Sequence, residues 1–276
     1  MATDSKIQWT DHTVNFWTGC IKVSEGCKYC YMYRDKDRYG KDPKEVVKVK
    51  DSTINKVLRD AKSGDKIFTC SWSDFFIEEA DQWREWAWDI IRSRPDLNWQ
   101  ILTKRPERIQ DCLPEDWGDG WDNVWLGVSV ENQKNADARM PILASIPCKV
   151  RFISAEPLLD LVQLMNPVVD SFIMGDTRHR NIISVPPEPA LFYYHWVIVG
   201  GESGNDNGKY RYRPSKLSWY LQIINDCRKQ NVPVFLKQLG THLAKTNKLN
   251  DRHGGNIDEF PAPIRIRQFP NTQNYE

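Results

Sequence analysis

Short apolar runs alternate with longer stretches of helical spacing along most of this chain, and that rhythm limits the fold more than any other feature. The runs are "KIFTCS" at 66–71, "WQILT" at 99–103, "VWLGVSV" at 124–130, "VRFISA" at 150–155, "WVIVGG" at 196–201 and "PVFLKQ" at 233–238, with "TVNFWTG" at 13–19 a further candidate. Between them, Trp83, Trp86, Ala87, Ile90 and Ile91 recur at three- and four-residue intervals ahead of Pro95. Ile54, Val57, Leu58 and Ala61 repeat that spacing, as do Leu217, Tyr220, Leu221 and Ile224. Apolar residues at such intervals form one stripe of a helix. Strand and helix in alternation predict right-handed βαβ units on a parallel sheet, and strands that are apolar almost throughout are covered on both faces.

The fold class expected is therefore α/β. Residues 1–240 are read as a single (βα) barrel domain of TIM type, complete or partial, with 241–276 packed on it as an extension. A doubly wound open sheet is the alternative, although no glycine-rich dinucleotide fingerprint follows an early strand. Residues 165–194, with Arg178, His179 and Arg180 ahead of a proline cluster, read as a long insertion acting as a lid or binding hairpin. The tail after Gly240 reads as irregular chain that closes the end of the barrel.

Composition narrows the class of protein. Of the 276 residues, 40% are hydrophobic and 27% charged, which suits a globular chain with a sizeable core. The apolar runs fall far short of the ~20 residues a membrane span needs, and "MATDSKIQWTD" lacks the apolar stretch of a signal peptide. No membrane association and a cytoplasmic location are expected. A formal net charge of +1 excludes a globally basic nucleic-acid binder and leaves local basic groups open.

Polar residues gather at the strand ends. Ser71, Ser73 and Asp74 follow the first of the six runs, Thr103, Lys104 and Arg105 the second, and Ser129, Glu131 and Asn132 the third. Glu156 follows the fourth, Glu202 and Ser203 the fifth, and Lys237 with Gln238 closes the sixth. In a parallel barrel all of these meet on the carboxyl-terminal face, where active sites are assembled. Taken singly, each is equally well read as a solvated loop residue or a member of an ion pair.

Three of the seven cysteines fall within "TGCIKVSEGCKYC": Cys20, Cys27 and Cys30. The other four, Cys70, Cys112, Cys148 and Cys227, are scattered, and the odd total argues against a disulfide framework. Thiolates favour zinc or iron–sulfur clusters. A closed zinc site needs a fourth ligand, His12 or a distant cysteine. Three cysteines alone suit a four-iron cluster with one iron left open.

The stretches "IQWTD", "TGCIKVSEGCKYCY", "SWSDFF", "LTKRPER", "GVSVEN", "RFISAEPLL", "WVIVGGESG", "RPS" and "VFLKQLG", in this order over residues 7–240, resemble a radical S-adenosylmethionine (radical SAM) protein. The likeness is closer to a family of phage and prophage proteins of undetermined activity related to that superfamily. It implies a [4Fe–4S] cluster on Cys20, Cys27 and Cys30, with the amine and carboxylate of S-adenosylmethionine on the fourth iron. It also implies reductive cleavage to a 5′-deoxyadenosyl radical and an external electron donor. The chain departs from the usual pattern in spacing its cysteines six and two residues apart rather than three and two, and in carrying "CSWSDFF" where relatives have glycine-glycine-glutamate.

On this reading Ser71, Ser73, Asp74, Ser129, Glu131, Gly200, Gly201 and Glu202 are candidates to bind the cofactor. Glu156, Glu202, Lys237 and Lys104 are candidates for catalysis, and Arg105, Arg213 and Gln238 for the substrate. A basic ring of this kind suits phosphate or carboxylate. The substrate expected is a small molecule or a nucleic acid, with Trp72, Phe75, Phe76, Tyr210 and Tyr212 as candidate stacking aromatics. A zinc-stapled nucleic-acid-binding module and a catalytically inactive barrel that binds a partner are the competing readings.

Overall fold

The structure, a computed structural model, describes residues 4–165 and 190–271. Seven parallel strands run in sequential order: β1 (His12–Val14), β4 (Lys66–Thr69), β5 (Asn98–Thr103), β6 (Val124–Ser129), β7 (Val150–Ala155), β8 (Trp196–Gly200) and β9 (Val234–Gln238). A doubly wound sheet would reverse its order part-way, and this one does not. The candidate strand at 13–19 divides in two. Its first part is β1, and Trp17–Thr18 (β2) leaves the sheet to pair antiparallel with Val47–Lys48 (β3).

Helices lie between the strands, the longer ones being α2 (Asp51–Asp60), α3 (Asp81–Arg92), α5 (Gln133–Ala144) and α6 (Leu217–Lys229). In α3 the fully buried residues are Ala87, Trp88 and Ile91, with Trp83, Trp86 and Ile90 half-buried beside them. The large indole of Trp88, whose Nε1 donates to the carbonyl of Cys112 at 2.8 Å, turns the stripe toward itself. Among the described residues no helix is long and apolar enough to cross a membrane.

The sheet curls without closing. On its convex side Ile67, Ile101, Leu126, Ile153, Val197 and Leu236 pack under the helices. Alternate residues point the other way, as a strand requires, and Phe68, Trp125, Phe152, Trp196 and Phe235 fill the hollow around Trp9. The Trp9 ring lies 4.6 Å from Phe68 on β4 and 6.1 Å from Trp196 on β8. Those strands are four places apart in the sheet, which in a flat sheet is about 19 Å. One indole reaches both only because the sheet bends around it.

A complete barrel is not formed, since β1 and β9 remain the two edges of the sheet among the described residues. The tail covers the β9 edge instead. Gln268 N donates to Val234 O at 2.8 Å and Leu236 N to Ile266 O at 3.0 Å, satisfying groups that an open edge would expose. Phe260 and Ile264 are buried, and Phe269 packs on Trp196 and Phe235. The tail is less irregular than its glycines and prolines suggest, because Leu243 and Ala244 anchor a short helix α7 (Gly240–Thr246). Most of the insertion expected at 165–194, including Arg178, His179 and Arg180, lies outside the described residues.

Candidate functional site at the mouth of the half-barrel

With the hollow filled by aromatic rings at its amino-terminal end, the open space lies at the carboxyl-terminal ends of the strands. The loop carrying the three cysteines crosses this mouth between β2 and α1 (Tyr31–Arg38). Three charged clusters from different strands hold it there.

The first follows β4 and β5. Asp74 accepts from Thr103 Oγ1 at 2.7 Å and Lys104 N at 2.9 Å, and pairs with Arg105 at 3.1 Å. Arg105 then donates to the carbonyl of Ile21 at 2.7 Å, and Ser73 Oγ donates to the carbonyl of Gly19 at 2.5 Å. The second follows β6. Glu131, with no exposed surface, accepts from Ser24 Oγ, Asn135 Nδ2 and Arg139 Nη1, each at 2.8 Å, with Lys104 Nζ at 3.4 Å. Arg139 also donates to the carbonyl of Ser129 at 2.7 Å. Burial works to raise the Glu131 carboxyl, but Lys104 and Arg139 outweigh it and hold it below the ordinary glutamate range. Gly26 is the residue that fits above this carboxylate, since a Cβ there would fall 2.4 Å from Glu131 Oε1.

The third cluster follows β8. Glu202 receives Arg213 through its backbone N and Nε, each at 2.8 Å, and through Nη2. The remaining Arg213 nitrogen donates to the carbonyl of Glu25 at 2.8 Å, and the guanidinium lies over the Tyr29 ring at 5.3 Å. Asp74, Glu131, Glu202, Arg105 and Arg213 are thus gathered at the mouth, with their polar atoms engaged by one another and by the loop backbone.

Other candidates meet one another at the strand ends. Glu156 pairs with Lys237 Nζ at 2.6 Å and meets Gln238 Nε2 at 3.4 Å. Gln238 also donates to Gly201 O and Ser203 Oγ, each at 2.9 Å. Ser71 Oγ exchanges hydrogen bonds with Asn15, and the Tyr31 hydroxyl donates to the Ser71 carbonyl. The glycines of "GGESG" serve close packing within the chain: a Cβ on Gly201 would meet Leu239 O at 2.2 Å, and one on Gly200 would meet Glu156 Cδ at 2.9 Å.

The thiols face cations. Cys20 Sγ lies 3.9 Å from Arg105 Nη1, and burial, with Asp74 adding to it, pushes its pKa up to about 12. Burial likewise raises Cys30, against hydrogen bonds from the backbone of Met32 and Tyr33 and, more weakly, the charge of Lys104. Cys27 Sγ is 3.8 Å from Ser24 Oγ and lies within electrostatic range of both other thiols. His12 stands at the opposite end of β1, bound to Asp65 at 2.9 Å. Cys70, Cys148 and Cys227 are buried.

Over residues 4–261 the chain matches the model of a family described as "Protein of unknown function (DUF5131)". The chain belongs to the DUF5131 family. No curated protein and no solved structure matches it. The likeness to radical SAM proteins and their phage relatives is overturned: the matching family is DUF5131, and among the described residues no group of three or more His, Cys, Asp or Glu is arranged to hold a metal ion. The physical reason is in the contacts above. Cys20 Sγ donates to the Ile21 carbonyl at 3.5 Å and Cys27 Sγ sits against Ser24, so the trio is not gathered on one point.

Several residues that build this DUF5131 site carry no signal at short range. Asn135 and Arg139 lie within α5, in its first and second turns. Ser24 and Glu131 are 107 positions apart. Nothing in the sequence announces that the Tyr33 hydroxyl donates to the Cys20 carbonyl.

Proposed function

We propose that this DUF5131 protein is an enzyme whose three-thiol loop, once its sulfurs turn inward, takes a [4Fe–4S] cluster, with S-adenosylmethionine as the molecule it cleaves. The observation that supports it is the placing of three thiols on one loop beside two cations, Arg105 with Nη1 3.9 Å from Cys20 Sγ and Lys104 within electrostatic reach of Cys27 and Cys30. Once gathered by a rearrangement of the loop, three soft ligands would leave one iron of such a cluster open, whereas a structural zinc site is closed by four. Bound there, the cluster would supply an open coordination position and an electron for reductive cleavage of the sulfonium.

The chain's own residues have separable parts in this reading. Lys104 and Arg105 offset the charge of thiolates formed on loading, which burial alone opposes. Glu131, Glu202 and Asp74 hold the loop against the strand ends. Glu156, Lys237 and Gln238 meet at the strand ends, where a carboxylate beside an ammonium and an amide can bind the amino and carboxylate groups of a small zwitterion. An anionic small molecule or a nucleic acid is the substrate class, and an external donor supplies the electron.

Reconstituted protein incubated with S-adenosylmethionine and dithionite should release 5′-deoxyadenosine, and Cys27→Ala should not. Iron-loaded protein that releases none would overturn the enzymatic reading. The zinc-stapled module has one point in its favour, the thiol donors themselves, and predicts stoichiometric zinc with no iron.

A further inference from the structure

The near-neutral chain conceals a strong asymmetry. Segments 20–48, 202–213 and 241–253 carry fourteen Lys and Arg against eight Asp and Glu, a surplus of six, while the whole chain has a surplus of one. These segments form one surface over the mouth. Lys209 Nζ reaches Asp37 at 2.5 Å and Tyr210 bonds the same carboxylate. Arg213 reaches Glu25 O at 2.8 Å, and Lys245 reaches Asp206.

Several cations of this surface stand without an ion pair among the described residues. Arg59, Arg92, Arg94 and Arg108 each hold a carboxylate, as surface arginines commonly do. Arg38, Lys41, Lys44, Arg211 and Lys248 are exposed and have no carboxylate within 4.0 Å among the described residues. Exposed aromatic rings stand among them. Tyr39 is 68% exposed and Tyr31 is 44% exposed, while the half-buried Tyr29 is already covered by Arg213 and Lys28, each at 5.3 Å.

We infer that this face binds single-stranded nucleic acid. A row of unpaired cations matches a phosphate backbone, and exposed rings beside cations stack on bases whatever their sequence. Stacking requires bases that are out of a duplex, so the rings select the single strand; an acidic polypeptide would use the cations and leave the rings idle. The inference takes the mouth as the functional face but does not need the metal, so it is tested on metal-free protein, where failure of the cluster assignment leaves it standing.

Fluorescence anisotropy with a labelled oligonucleotide of about 20 residues, DNA and RNA, single-stranded and duplex, measures it directly, since one binding module covers roughly 4–16 nucleotides. The single strand should bind with an affinity that falls steeply with salt, by about 0.7 in log K per log salt for each phosphate contacted. Comparing the DNA and RNA arms identifies which polymer is preferred. The combined variant R38E/K41E/K44E should bind at least tenfold more weakly, and Tyr39→Ala about fivefold or more, given ~1–3 kcal/mol per stacked base. K56E/R59E on α2, outside this surface, should bind like the parent. No binding at ~50 mM salt, equal binding of duplex or polyglutamate, or an unchanged affinity in a folded R38E/K41E/K44E variant would each overturn the inference.

Discussion

Glu131 illustrates how much a single buried charge can organise. Its carboxylate has no exposed surface and serves Ser24, Asn135, Arg139 and Lys104 at once. Removing one partner of such a group leaves the others buried and unpaired, so Glu131→Gln should lower stability by about 3–5 kcal/mol in urea unfolding. The pH dependence has a definite sign. Since its folded pKa is depressed, this carboxylate contributes its stability above the unfolded value near 4.5, and the contribution is lost as pH falls through the folded value. The acid limb of the stability profile should therefore be shallower in Glu131→Gln; identical limbs would refute the assignment. Gly26→Ala makes a second test at this scale. Its methyl would fall 2.4 Å from the carboxylate, which predicts a loss of about 1–3 kcal/mol and a displaced loop.

The cysteine loop has no regular structure beyond one 3-10 turn, Glu25–Cys27, and side chains from three strand ends supply the order that backbone pairing gives elsewhere. Ser24→Ala, which removes a 2.8 Å hydrogen bond to an ionised group, should cost about 1.5–3 kcal/mol and speed amide exchange in residues 20–30 more than in the strands. Uniform exchange across loop and sheet would contradict the clamp. Much of the element layout is readable from residues alone. Runs such as "VWLGVSV" and "VRFISA" are strands in fact, because β-branched and aromatic residues buried on both faces leave few other choices. The two-residue pair β2 and β3 is not readable, since nothing in "WT" and "VK" distinguishes it from loop. Nor is the use of the polar strand ends. Asp74, Glu131 and Glu202 do stand at the mouth, but their hydrogen bonds fasten the loop, and partners such as Glu25 and Arg213, 188 positions apart, meet only through the fold.

At the scale of the whole molecule, the half-barrel has one end sealed and one end open. Rings from the amino-terminal segment, the strands and the tail pack the hollow around Trp9 and Trp196, each contributing about 1.5–3 kcal/mol on burial. Truncation after Gly255 would remove Phe260, Ile264 and the pairing along β9, so it should abolish cooperative unfolding and yield aggregated protein. A soluble, cooperatively folded truncation would show that the tail is dispensable. The other end carries the three-thiol loop, with Lys104 and Arg105 beneath it and a basic outer surface, and the iron–sulfur chemistry proposed above belongs to that loop. The most direct test is iron and acid-labile sulfide content after anaerobic reconstitution, in the parent chain and in Cys27→Ala. About four irons and four sulfides per chain are expected in the parent, with a loss of both in the folded variant. Stoichiometric zinc without iron, or equal iron in the two proteins, would contradict the cluster assignment.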